Sequence, residues 1–254
     1  MSVATHREAP THAPRSVREV LEGDDLQPLF QPVLDIGGGA AVGYESLIRG
    51  PAGSTLERPD VLFAGARAEG LLSELDARCR LAALDVAARH HLPAGTTLFV
   101  NVEPETLGQA TAAELAQAAE ALPDGATVIV EITERSLAAE PAALVRAVAD
   151  LRRAGIGIAL DDVGADDRSL ALMPLLRPDV IKLDLELVRS RPSVRMANIL
   201  NAVGAQAERT GAAIVAEGIE TEEHLATARA AGATHAQGYM LGRPAPLPER
   251  IPSR

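Results

Sequence analysis

A polar residue recurs at the end of each short apolar run along the middle of this chain. Asn101 to Glu131 is 30 residues, Glu131 to Asp161 is 30, Asp161 to Asp184 is 23, Asp184 to Glu217 is 33 and Glu217 to Gln237 is 20. A strand–helix–loop unit has about this length, so the pattern sets one polar side chain at the C-terminal end of each strand. The runs predicted as strands are Thr97–Asn101, Thr127–Ile132, Ile156–Asp162, Val180–Asp184, Ala213–Glu217 and His235–Tyr239. Alanine-rich stretches between them predict helices over about 73–90, 104–120, 140–154, 193–210 and 221–231, with Pro104, Pro141 and Thr221 as start signals. Alternating strands and helices imply parallel βαβ units with right-handed crossovers. Continuously apolar strands imply a sheet buried on both faces. A (β/α)8 barrel of about 250 residues gathers its reactive groups on this face, and the 254-residue length suits it. A doubly wound open sheet is the competing architecture.

The front of the chain breaks the pattern. Leu29–Ile36 and Ala41–Arg49 are strand-like runs joined by Gly37, Gly38 and Gly39, a hairpin signal rather than a crossover. The barrel is therefore expected to contain an antiparallel first strand. Residues 1–24 are expected to be a disordered tail and 25–254 the barrel domain, with Pro244–Arg254 lying over the surface.

Composition narrows the function classes. Aromatics are 2% of a chain that is 47% apolar, so alanine, leucine and valine must fill the core. A net charge of −11 argues against a broad surface for DNA or anionic membranes. No apolar run approaches a membrane span, and the first residues lack the apolar stretch of a secretory signal, so a cytoplasmic location is expected. The single cysteine, Cys79, excludes an intramolecular disulfide and a multi-cysteine metal centre, and it is expected to be a small core residue.

Period-two alternation puts Glu45, Leu47 and Arg49 on one strand face and Lys182 with Asp184 on another. Adding Asn101, Glu131, Asp161, Asp162 and Glu217 gives six carboxylates, one amide and two cations at strand ends. So many carboxylates in one cavity cannot all ionise unless cations are present. Oxygen ligands without histidine or cysteine select Mg²⁺ or Mn²⁺ over zinc. Two such ions about 3.5–4 Å apart activate water and stabilise phosphoryl oxygens in an in-line displacement. A lysine and an arginine nearby suit a phosphodiester. Taken singly, a carboxylate at a strand end is more often a helix cap or a surface group. Glu134 falls past its strand and is equally a helix cap. Asp35 is expected to be structural, and His235 stands near the expected mouth without ligand spacing.

These segments together resemble the EAL-domain cyclic di-GMP phosphodiesterases over roughly residues 26–246. The matches are Phe30-Gln31-Pro32-Val33-Leu34-Asp35, Glu45-Ser46-Leu47-Ile48-Arg49, Val100-Asn101, Val130-Glu131-Ile132-Thr133-Glu134, Asp161-Asp162, Lys182-Leu183-Asp184, Ala216-Glu217-Gly218-Ile219-Glu220 and Gln237-Gly238-Tyr239. The resemblance implies a modified TIM barrel that uses Mg²⁺ or Mn²⁺, two ions, to hydrolyse cyclic di-GMP to linear pGpG. It implies that Glu45, Asn101, Glu131, Asp161 and Glu217 hold one ion, and Asp162 with Glu217 the second. By the same resemblance Lys182 orients or activates the attacking water, and Asp184 holds water beside the metal site. Gln31, Arg49 and Gln237 contact the nucleotide, Glu134 braces the loop after the aspartates, and Glu220 is a supporting acid. A homodimer is also implied.

Two departures stand out. The signature tripeptide reads Glu45-Ser46-Leu47, which keeps the metal-binding glutamate. The family usually has Asp-Asp-Phe-Gly-Thr-Gly-Tyr-Ser-Ser-Leu where this chain has Asp161-Asp162-Val163-Gly164-Ala165-Asp166-Asp167-Arg168-Ser169-Leu170. That loop is tied in the family to metal-site order and dimer coupling. Hydrolysis, slowed or differently regulated, is the leading expectation because every metal-site side chain is kept. A cyclic di-GMP receptor or protein-interaction module without efficient hydrolysis is the main rival. A metal enzyme acting on another phosphate ester is a third reading.

Overall fold

The structure, a computed structural model, describes residues 16–90, 92–133, 141–164, 169–184, 187 and 193–247. Eight strands close into a barrel in chain order. They are β1 (Gln27–Asp35), β2 (Ala41–Arg49), β3 (Thr97–Asn101), β4 (Thr127–Thr133), β5 (Gly157–Val163), β6 (Val180–Leu183), β7 (Ala213–Ala216) and β8 (His235–Ala236). β1 runs antiparallel to both β2 and β8, and every other neighbouring pair is parallel. The chain thus forms the expected barrel with a reversed first strand, and the open sheet is excluded. The β1–β2 hairpin is closed by Asp35, whose carboxylate accepts the Gly38 amide, while Gly39 supplies a φ of 70°.

The helices among the described residues are α1 (Val17–Gly23), α2 (Pro59–Glu69), α3 (Leu72–Arg89), α4 (Gln109–Ala119), α5 (Pro141–Arg153), α6 (Ser169–Leu176), α7 (Val194–Thr210) and α8 (Glu222–Ala230). α7 and α8 start where the sequence marks them: Ser193 accepts the Met196 amide and Thr221 the His224 amide. Outward strand residues such as Leu98, Val100, Val130, Ile158 and Ile181 pack against Leu84, Leu115, Leu151 and Ile199 of the helices. The alternate residues Val33, Phe99, Ile129, Ala159, Val180 and Val215 fill the barrel's interior as a separate cluster. Both faces of the sheet are therefore dry, as the continuously apolar strands require.

Four expectations are corrected. Residues 17–23 are not part of a tail but form α1, with Val17, Val20 and Leu21 buried against α2 and α3. A seven-residue helix is unstable alone; the carboxylate of Glu69, at the end of α2, accepts the Val17 and Arg18 amides and satisfies its N-terminus. Residues 1–15 lie outside the described residues. The helix expected from 104 begins at 109, after a single 3₁₀ turn at Pro104–Thr106. Helices α2 and α6 occupy stretches where no helix is expected. Finally, the C-terminal segment does not simply lie over the surface, because Ala245 exchanges backbone hydrogen bonds with Phe30 and Leu247 is buried.

Candidate active site

Each interior apolar residue has a polar residue two positions toward the barrel mouth. Val33 is paired in this way with Gln31 on the reversed β1, Phe99 with Asn101, Ile129 with Glu131, Ala159 with Asp161, Val180 with Lys182 and Val215 with Glu217. The polar layer thus sits directly above a dry floor. Gly43 has the same relation to Glu45: a Cβ there would come 3.0 Å from the Phe99 ring, so its absence makes room for the largest side chain of the floor.

Lys182 is the centre of this layer. Its Nζ lies 2.6 Å from Glu131 Oε1, 2.9 Å from Glu217 Oε1, 3.1 Å from Glu45 Oε2 and 3.3 Å from Asp161 Oδ1. Burial alone would lower the lysine's pKa, but Glu131, Glu217, Glu45 and Asp161 together outweigh it and hold the ammonium well above its usual range. Burial pushes Glu131 and Glu217 well up, against the pull of Lys182. Burial acts on Glu45 in the same direction, yet Lys182, Gln237 and Asn101 overcome it and its pKa is lowered.

Glu45 is also the hub of the amides. Gln237 Nε2 donates to Glu45 Oε2 at 2.6 Å and to Gln31 Oε1 at 3.1 Å, and Gln31 Nε2 donates to the Gly242 carbonyl at 2.9 Å. Asn101 Nδ2 donates to Glu45 Oε1 at 3.3 Å. Gln237 is fixed because the next residue is glycine: a Cβ on Gly238 would lie 2.1 Å from the Ile219 nitrogen.

Strict alternation would turn Asp161 and Asp162 to opposite faces. The β5–β6 pairing slips between Leu160 and Val163, and Asp162 takes a left-handed φ of 57°. With this bulge, one carboxylate oxygen each from Asp161, Asp162 and Glu217 lies within 4.8 Å of the others. Aspartate tolerates this backbone region better than most residues, so the sequence suits the bend.

The donor set fits a hard cation. It is built from oxygens: Glu131 Oε2 is buried without a hydrogen-bond partner, while Glu131 Oε1 and Asp161 Oδ1 are buried against the Lys182 ammonium. Glu45, Asn101, Glu131, Asp161, Asp162, Lys182, Glu217, Gln31 and Gln237 are therefore brought together.

The other expected site residues are placed less centrally. Arg49 ends β2, donates to the Ile48 carbonyl and lines a cavity of about 520 Å³ shared with Glu45, Asn101, Phe63, Arg67 and Arg80. Asp184 follows β6, its amide donating to the Val163 carbonyl at 3.3 Å. Glu220 lies on the exposed approach to α8. Glu134 and residues 165–168 lie outside the described residues. His235 is not at the mouth: it pairs with Asp35 and Val215, at the level of the floor.

Sequence reasoning missed Asp76 and Arg80, a buried ion pair on α3 whose network reaches the turn after Asn101. The available signal was an aspartate and an arginine one turn apart on the face that also holds Leu75, Cys79 and Ala83.

Comparison with known proteins gives a consistent picture. The family model described as EAL domain matches residues 15–244. Cyclic di-GMP phosphodiesterase NbdA of Pseudomonas aeruginosa is 31% identical over 242 residues, covering 91% of this chain and 30% of NbdA. The chain thus spans less than a third of that relative. The PaMucR phosphodiesterase in complex with c-di-GMP superimposes with a TM-score of 0.78 at 26% identity, covering 91% of this chain and 96% of that one. A Klebsiella pneumoniae BlrP1 manganese/cy-diGMP complex gives 0.76 at 28% identity, covering 93% and 58%.

Proposed function

The chain belongs to the EAL domain family, and from that premise we propose that it is a metal-dependent phosphodiesterase that hydrolyses cyclic di-GMP to linear pGpG. The observation that carries the proposal is one buried ammonium, Lys182, shared among four carboxylates at the barrel mouth, with Glu131 Oε2 left without a hydrogen-bond partner. Counting Asp162 with those four, five carboxylates face one ammonium, a formal charge of −4 that two divalent cations balance. Glu45, Asn101, Glu131, Asp161 and Glu217 would hold one Mg²⁺ or Mn²⁺, and Asp162 with Glu217 the other. Such ions, when bound, polarise water and neutralise the phosphoryl oxygens.

The chain's own residues supply the rest. Lys182 donates a hydrogen bond that orients the attacking water. Glu45 keeps Gln237 and Asn101 in place, and Gln237 keeps Gln31, so Asn101 is aimed at the cation while the amides of Gln31 and Gln237 face the nucleotide. Arg49, at the edge of the cavity, offers a guanidinium to phosphate or base. Asp184, Glu134 and Glu220 keep supporting roles in this reading. Water cuts one P–O bond of the ring, and the freed ribose oxygen takes a proton. Because the mouth is electronegative, the cations are also what allows an anionic nucleotide to approach.

Working as a homodimer is part of the same proposal and rests on the family resemblance. No helix among the described residues is long and apolar enough to cross a membrane; a cytoplasmic setting is part of the same proposal. The altered sequence at 163–169 supports the rival reading as a receptor. Chromatography after incubation with cyclic di-GMP and Mn²⁺ or Mg²⁺, beside a chelator control, separates the two. Metal-dependent pGpG is expected; nucleotide binding without product would make the chain a receptor.

A further inference from the structure

The turn that follows Asn101 is held by a side chain that lines the same cavity but is neither a proposed cation ligand nor a proposed nucleotide contact. Asp76, on α3 and 2% exposed, accepts the Glu103 amide at 3.2 Å on Oδ1. Its Oδ2 accepts the Thr106 hydroxyl and Arg80 Nη1. Arg80, 3% exposed, also donates to Glu114 of α4 at 3.1 Å. Thr106 is tied in turn, since its carbonyl accepts the Thr111 hydroxyl at 2.7 Å. One buried carboxylate therefore joins three pieces of backbone: α3, the 3₁₀ turn and, through Arg80, α4.

This clamp bears on the site through chain geometry. Glu103 is two residues beyond Asn101, and β3 ends at Asn101 itself. The Asn101 amide reaches Glu45 at 3.3 Å, at the outer limit of a useful hydrogen bond, so a small swing of the strand end breaks it. A buried charge pair is a poor way to gain stability, because desolvation consumes most of its attraction. It is a good way to fix a turn in one position, because directed bonds to the backbone tolerate little displacement.

We propose that Asp76 is a positioning residue: by holding the Glu103 amide and the Thr106 hydroxyl it sets the strand end so that the Asn101 side chain meets Glu45 in the geometry the cation site needs. The inference rests on the metal-site reading above and assigns a new residue to it.

The test is a double-mutant comparison on the full chain, with Mn²⁺ affinity read from the electron paramagnetic resonance of free Mn²⁺ and folding read from thermal melts. Asn101→Ala is expected to weaken Mn²⁺ binding, and Asp76→Asn to weaken it about tenfold, as loss of an outer support for a ligand does. The double variant is expected to bind no more weakly than Asn101→Ala, because both changes act through one amide. Thr106→Val, which leaves the Asp76–Arg80 pair intact, is expected to give a smaller effect in the same direction and serves where Asp76→Asn does not fold. If Asp76→Asn or Thr106→Val melts lower but binds Mn²⁺ as tightly as the parent, Asp76 is only structural and the inference is overturned. Additive losses in the double variant overturn it as well. If Asn101→Ala itself leaves affinity unchanged, the metal-site reading fails first and takes the inference with it.

Discussion

Lys182 and Glu131 form an ion pair, Nζ to Oε1, of 2.6 Å with side chains 1% and 0% exposed. At an effective dielectric of about 20, such a pair gains several kcal/mol of attraction, comparable with the cost of stripping water from its two charges. Three further carboxylates share the same ammonium. Such a cluster does little for stability by itself. It fits the proposed role of a charged pocket whose balance cations would complete.

Lys182→Met therefore has a two-sided outcome. Removing the lone cation leaves four crowded carboxylates, which should cost roughly 3–5 kcal/mol in chelator. Saturating Mn²⁺ should recover part of that loss by binding the folded state. Urea denaturation with and without Mn²⁺ checks both halves, and turnover should be lost in either condition.

Glu45→Ala should abolish turnover, a fall of at least a hundredfold, because it deletes a proposed cation ligand and releases Gln237 and Asn101 together. Retained activity with an unchanged metal requirement would remove Glu45 from the site.

Asp162→Gly separates stability from function. The left-handed backbone at Asp162 suits glycine, so melting temperature should hold or rise slightly. Activity should still collapse, since the carboxylate beside Asp161 and Glu217 is gone. A large drop in stability would show that the bulge depends on the aspartate side chain.

Cys79 reports on the α3 packing. Burial pushes its thiol from 9.0 up to about 12, with Asp76 adding to the effect. The fold thus favours the neutral thiol. This contribution to stability is complete below about pH 9 and is lost as pH rises from there toward 12. At pH 8 a thiol reagent should react with Cys79 only after denaturant is added. Rapid labelling of the native chain would contradict the buried placement.

Much of this architecture was legible because it is written in period two and in unit length. The strand residues that reach the mouth, Asn101, Glu131, Asp161, Lys182 and Glu217, are each two positions beyond an apolar residue in a buried run. The reversed β1 was legible from its three-glycine turn. What could not be read is set by contacts distant in sequence. Helix α1 depends on Glu69, 52 residues from Val17. Asp76 acts on an amide 27 residues away. His235 looked near the mouth because Gln237 is there, but a β8 of two residues sets the pair in different layers.

Equilibrium dialysis of the full chain against Mn²⁺, repeated with Glu131→Gln, tests the central claim most directly. Two Mn²⁺ per chain are expected for the parent and fewer for the variant, whose carboxylate at the floor of the site is replaced by an amide. No Mn²⁺ bound above background by a folded parent chain would contradict the reading of this cluster as a cation site.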